Sequence, residues 1–164
     1  SIEFESPFDE SGRIREKVFP RLSRVSMARK IKGLPVAIFA EGSVVLSLAS
    51  FFYEYLGLEP VILGLKTYTS GIEELVKEFL QTTGLNPLIL TNYDLYSVQQ
   101  ALAKHEPELI LGSSLEKGFQ PATPFINISY PVWDKVILTE RPFLGYQGIL
   151  TLIEELLNAI LKLP

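Results

Sequence analysis

Apolar residues are laid along this chain in two alternating rhythms. Short unbroken runs take turns with stretches in which an apolar residue returns every three or four positions. The first stretch has Ile14, Val18, Leu22 and Val25 at helical spacing, with Pro20 kinking or restarting the helix. Gly33-Leu34 ends it. Residues 35–40, PVAIFA, then form an apolar run between Pro and Gly signals and predict a buried strand. Glu41-Gly42-Ser43 is a turn. The following helix carries Val45, Leu48, Ala49 and Phe52 on one face and stops at Gly57, a residue suited to a left-handed helix cap.

The unit then recurs. Residues 61–65 predict a second strand, and Thr69-Ser70-Gly71 leads into a helix with Ile72, Leu75, Val76, Phe79 and Leu80 inward. Ser70 and Glu73 stand at capping-box spacing, and Gly84 closes that helix. Residues 87–91 predict strand three. After Asn92-Tyr93, Asp94 is placed to cap a helix that uses Leu95, Val98 and Leu102 and ends by Pro107. Residues 109–111 predict strand four, leading to Gly112-Ser113-Ser114, and residues 124–128 predict strand five. A loop over 130–146 precedes a last helix with Ile153, Leu156, Leu157, Ile160 and Leu161 inward.

Strands that are apolar throughout, instead of alternating, indicate a parallel sheet covered on both faces. The expected fold is α/β: a Rossmann-like, doubly wound sheet of about five strands in the order 3-2-1-4-5. Its switch point would lie between strands one and four. Residues 13–164 read as one such domain, with a basic helix at its start and a helix at its end. Residues 1–12 read as a disordered edge segment, a cut made inside a longer gene product.

At 164 residues and 47% hydrophobic, the chain can bury a real core. No apolar run reaches the ~18–20 residues of a membrane span, and SIEFESPFDESG has no signal-peptide pattern. Cysteine is absent, which excludes disulfides, thiolate metal ligands and a Cys nucleophile, and fits a reducing, cytoplasmic compartment. The net charge of −4 conceals an asymmetry: residues 13–32 carry +7, residues 1–12 carry −4 and residues 33–164 carry −7. The basic residues surround one helix, with no interleaved aromatics and no nucleic-acid-reading motif. They read as a solvated helix face or a surface for an acidic partner.

Candidate chemistry is sparse. Ala40-Glu41-Gly42-Ser43 stands where a dinucleotide fingerprint would, but has one glycine and no Walker lysine. A helix N-terminus can still face an anion, so Gly42, Ser43, Ser113 and Ser114 mark a candidate crevice; a tight structural turn is the simpler reading. Gly112-Ser113-Ser114 is not a nucleophile elbow, and the single histidine, His105, reads as a surface residue near a helix end. Glu73, Glu74 and Glu78 read as a solvated helix face. Asp94 and Asp134 both follow strand exits and could accept bonds from a ligand, though Asp94 is more simply a cap. Asp134-Lys135 is either an exposed pair of little worth or part of an interface. The loop SYPVWDKVILTERPFLGYQG is long and aromatic for a connector, and such residues anchor interfaces. Tyr130, Trp133, Asp134, Lys135 and Tyr146 are therefore the expected interface residues.

The ordered set resembles the C-terminal part of β-type subunits of nitrogenase component 1 and their relatives. Those relatives include cofactor-assembly scaffolds and nitrogenase-like reductases of tetrapyrrole synthesis. The resemblance is carried by VAIFAEGSVV, by Leu56-Gly57-Leu58-Glu59-Pro60, by Asp94-Leu95 and by the stretch from Pro107 through Gly112-Ser113-Ser114. It continues in Tyr130-Pro131-Val132-Trp133-Asp134-Lys135 and in Gly145-Tyr146-Gln147-Gly148 through Asn158. The resemblance implies an oxidoreductase subunit that works with an α-type partner and an ATP-dependent reductase. The iron–sulfur cluster or metallocofactor would be held elsewhere in the complex, and none by this chain.

The chain departs from the family at three places. Ala40-Glu41-Gly42-Ser43 replaces a glycine-aspartate-proline-aspartate turn, and Lys135 replaces an arginine. Arg141-Pro142-Phe143-Leu144 stands where cofactor-bearing α-type subunits have a histidine. The expected role is positioning: walls of a crevice and part of a subunit interface, with the isolated chain not itself catalytic. A cofactor-assembly scaffold and a stand-alone small-molecule or anion-binding module are the alternatives. Without its partner the aromatic loop would leave apolar surface exposed and favour homodimers.

Overall fold

The unbroken apolar runs become strands, and the central ones, β1 and β4, are covered on both faces. The structure, a computed structural model, describes residues 31–134, 136 and 145–160. The chain order is β1 (Pro35–Ala40), α1 (Gly42–Phe51) with a π-helical last turn (Phe52–Leu56), β2 (Glu59–Leu65), α2 (Ser70–Thr83) and β3 (Leu88–Thr91). There follow α3 (Leu95–His105), β4 (Leu109–Gly112), the short α4 (Ser114–Lys117), β5 (Phe125–Asn127) and α5 (Gly145–Ile160). All strand pairs are parallel, in the order β3-β2-β1-β4-β5. This is the expected order, with β1 at the centre and the switch point between β1 and β4.

The two-residue period of β1 divides its side chains between two cores. Val36, Ile38 and Ala40 enter the larger one with Val45, Ala49 and Phe52, and with Leu152 and Leu156 of α5. Ala37 and Phe39 enter the smaller one with Ile62, Val98, Leu102 and Ile110. The Phe39 ring lies across β2, and a Cβ on Gly64 would stand 2.2 Å from it. A side chain there would push the ring out of the core.

Several local expectations shift. The N-cap of α2 is Thr69, whose Oγ1 accepts the Ile72 N–H at 3.4 Å, so the Ser70–Glu73 capping box does not form. Gly57 and Gly84 do close their helices in the left-handed conformation, both at φ 67. The end of α3 is set by Glu106 at φ 43, one residue before Pro107. β2 starts two residues early, because Glu59 and Pro60 pair with Pro35 and Val36, and a strand's first residues tolerate proline. Leu75 and Leu95, expected inward, are 45% and 50% exposed. His105, expected at the surface, is half-buried, with Nε2 buried and without a hydrogen-bond partner among the described residues. The edge segment 1–12, residues 13–30 of the expected basic helix, Lys135, residues 137–144, the Tyr146 side chain and Leu161 lie outside the described residues. Among the described residues no helix is long and apolar enough to cross a membrane.

Candidate functional site

The C-terminal ends of β1, β2, β4 and β5 converge on one rim, where an open α/β sheet offers its crevice. Gly42 opens α1 there. A Cβ on it would stand 2.6 Å from the Thr67 carbonyl and 2.9 Å from Ile72 Cγ2, so its missing side chain is filled by the β2–α2 loop. The Thr67 hydroxyl donates to Glu41 Oε2 across the same turn. Ser43 is exposed, and its carbonyl accepts the Ser47 hydroxyl at 2.8 Å. It lines a groove of about 290 Å³ between α1 and α2, with Leu46, Ser50, Glu54, Leu75 and Phe79 among its walls.

At the β4 exit Ser113 is fully buried. It caps α4 in a capping box: Glu116 Oε2 accepts the Ser113 N–H at 2.7 Å and also its hydroxyl. An anion would seek those donors at this helix start, and the chain's own carboxylate takes them. Glu116 is 2% exposed. Its other oxygen lies 3.8 Å from Lys66 Nζ, which also donates to Ser129 Oγ at 3.0 Å and to the Tyr130 carbonyl at 2.9 Å. Ser129 Oγ in turn donates to the Phe39 carbonyl at 3.1 Å. Tyr93 packs edge-on against Phe39, with centroids 5.9 Å apart. Burial pushes its phenol pKa upward, and the carboxylates of Glu116 and Glu41 push it further. The Tyr93 hydroxyl is buried without a hydrogen-bond partner among the described residues.

The segment after β5 turns at a cis Tyr130–Pro131 bond. Ser114 N–H donates to the Pro131 carbonyl at 2.9 Å. Ser114 Oγ accepts the Trp133 N–H at 2.8 Å and donates to Asp134 Oδ1 at 2.6 Å. Lys117 pairs with Asp134 Oδ2, and Asn127 Nδ2 donates to Oδ1 at 3.4 Å. The Lys117 bond, and then the Ser114 bond, hold the Asp134 carboxyl below the usual carboxylate range. Tyr130, Trp133 and Val136 nevertheless stand 87%, 72% and 81% exposed.

The structure thus brings Gly42 and Ser113 to adjacent strand exits, places Ser43 at the groove between α1 and α2, and joins Ser114 to Trp133 and Asp134. Asp94 caps α3, accepting the Ser97 N–H and hydroxyl at 2.7 Å each, which lowers its pKa. Sequence reasoning does not single out Lys66, Glu116 or Lys117. The Ser113-x-x-Glu116 spacing is a readable signal for Glu116; nothing local marks Lys66.

A family model described as nitrogenase component 1 type oxidoreductase matches residues 5–161. The chain belongs to this family. A nitrogenase molybdenum-iron protein beta chain of Methanococcus maripaludis is 29% identical over 161 residues, covering 93% of this chain and 32% of that one. The corresponding beta chain of Crocosphaera subtropica is 27% identical over 135 residues, covering 80% and 26%. A subunit of the light-independent protochlorophyllide reductase of Prochlorococcus marinus is 27% identical over 134 residues, covering 80% and 24%. A solved structure titled "Nitrogenase Cp1 at pH 6.5" superposes with a TM-score of 0.81 at 21% identity, over 96% of this chain and 34% of that one; that likeness concerns the fold. The chain spans about a quarter to a third of the curated relatives it matches.

The family implies metalloclusters in the full-length protein, and the described residues bring together no set of side chains that fits one. The chain has no cysteine and one histidine. No group of three or more His, Cys, Asp or Glu among the described residues could hold a metal ion.

Proposed function

We propose that this domain is a positioning unit of a nitrogenase component 1-like oxidoreductase subunit working in the cytoplasm. It forms one wall of a crevice and part of the interface with an α-type partner subunit. Electrons delivered by an ATP-dependent reductase would pass through iron–sulfur centres held outside this chain. The protein's share of such chemistry is orientation and exclusion of water. The observation that carries the reading is the ordered turn after β5. Its backbone and Asp134 are bonded to α4, while Tyr130 and Trp133 face solvent. Exposed aromatics on an ordered backbone are the usual anchors of a protein interface.

The stand-alone anion-binding reading finds less support. The turn at Gly42 is filled by Thr67, and the donors at Ser113 already serve Glu116. Nothing described favours the scaffold reading over the reductase reading.

The test is to produce the chain within its whole subunit together with an α-type subunit of the same source organism. Assembly is measured by co-purification, and reductase-dependent electron transfer by reduction of the bound clusters. Trp133→Ala is expected to weaken assembly by tenfold or more, about what losing an aromatic anchor costs. Unchanged assembly with both Tyr130→Ala and Trp133→Ala would remove the interface from the proposal.

A further inference from the structure

The turn after β5 is held from two sides. From the β2 exit, Lys66 Nζ reaches the Tyr130 carbonyl and Ser129 Oγ. From α4, Ser114 alone makes three bonds to this turn: N–H to Pro131, Oγ from the Trp133 N–H, and Oγ to Asp134. A serine hydroxyl has one proton to donate, and Asp134 takes it. What this gives to the domain's own core is small, because the side chains it orders, Tyr130 and Trp133, stay in water. Ordering a segment costs conformational entropy. A surface ordered in advance spares a partner that cost on docking.

We infer that Ser114 is a positioning residue: its bonds to Pro131, Trp133 and Asp134 hold the Trp133 backbone, and with it the direction of the Cα–Cβ bond that carries the indole, before any partner arrives. The inference rests on the interface reading above and extends it to the residue that readies the interface. It also reassigns Ser114, which the sequence offers as a ligand-binding hydroxyl. Lys117 completes the arrangement by pairing with Asp134 on its other oxygen, so Ser114 meets a carboxylate already held in place.

Trp133 is the chain's single tryptophan, so its fluorescence anisotropy, excited beyond the tyrosine absorption, reports on this turn alone. The experiment uses the 164-residue chain with Ser114→Ala, Ser114→Thr and Asp134→Asn. Ser114→Ala is expected to lower the Trp133 anisotropy. It is also expected to speed exchange of the residue-114 amide, which is bonded to Pro131, by about tenfold, the scale of one charge-assisted hydrogen bond. The amides of Ile128 and Ser129, which donate to the Gly112 carbonyl, should keep their rates and show that the fold persists. Ser114→Thr, which retains the hydroxyl, should stay near the parent on both measures. Wild-type anisotropy and exchange in Ser114→Ala overturn the inference, as does equal loss in Ser114→Thr. If Ser114→Ala does not fold, Asp134→Asn is compared with Lys117→Met by the same two readouts: a loss in the first beyond that in the second supports the inference, and equal values overturn it.

Titration with the α-type subunit separates this inference from the reading beneath it. A loosened Trp133 with unchanged partner affinity rejects the interface and leaves the positioning role standing. An unaltered Trp133 rejects the positioning role whatever the partner does.

Discussion

The exits of β1 and β5 lie on the same rim, and they are closed by different physics. At β1 the turn is closed by packing: the Thr67 carbonyl and the Ile72 side chain occupy the space where Gly42 would carry a Cβ. At β5 the turn is closed by polar bonds: Lys66, Ser114 and Lys117 hold the backbone and Asp134, and the apolar side chains are left outside. At the switch point, where ligands sit in many open α/β sheets, the chain's own Glu116 carboxylate already takes the Ser113 donors. The exposed aromatic side chains stand instead at the sheet edge, after β5. A site sealed by volume should fail when volume is added. One held by charge and hydroxyl groups should fail when those are removed.

Glu116 lies between the two regions, and its loss should be the most damaging change. Glu116→Ala leaves Lys66 without its carboxylate and the buried Ser113 without its acceptor. We expect a cost of about 3 kcal/mol, the upper end for leaving buried donors without their acceptor, read from chemical denaturation. A midpoint within error of the parent would show that the pair is not what joins the two exits.

Next comes Gly42→Val. Its first added carbon meets backbone, which cannot swing aside, so a loss of about 1–3 kcal/mol is expected. If stability were unchanged, the β1 turn would be open, and the contrast with β5 would disappear.

Trp133→Ala should be smaller still in stability, within about 0.5 kcal/mol, because an exposed side chain removed from the surface costs little. A larger loss would mean that the indole packs on its own domain.

The smallest effect expected is the pH dependence of the β5 turn. The Asp134 carboxyl is held below its unfolded value of about 3.9, by Lys117 first and Ser114 second. A depressed carboxylate contributes its stabilisation above the unfolded pKa and loses it as pH falls through the folded one. Trp133 anisotropy should therefore be flat from neutral pH down to about pH 4 and decline only in stronger acid. Asp134→Asn should abolish that decline. A transition near neutral pH would contradict the assignment.

Much of the fold is legible in the sequence, for physical reasons. Val36 to Ala40 reads as a central strand because a strand covered on both faces has no polar side to show. Asp94 reads as a cap because the carboxylate and the amide it accepts are three residues apart. Ser70 misleads because its neighbour Thr69 offers the same hydroxyl one position earlier. The candidate site is legible only in part. Asp134, Trp133 and Ser114 stand out by residue type, but the bond that unites Ser114 with Asp134 spans 20 residues. Lys66 stands out not at all, because its partners Glu116, Ser129 and Tyr130 all lie far downstream in the chain.

From the sequence alone follow the five strands, the four longer helices α1, α2, α3 and α5, the order of the sheet and the family resemblance. Those follow from periodicity, capping and turn chemistry, which act within a few residues. Beyond the local Ser113–Glu116 capping box, what the polar residues at the strand exits do follows from the packed sheet. Lys66, Ser114 and Asp134 acquire their partners only when parallel pairing sets the exits of β1, β2, β4 and β5 side by side. Hydrogen bonds form by distance in space, and in a parallel sheet neighbours in space are separated in sequence by a whole crossover.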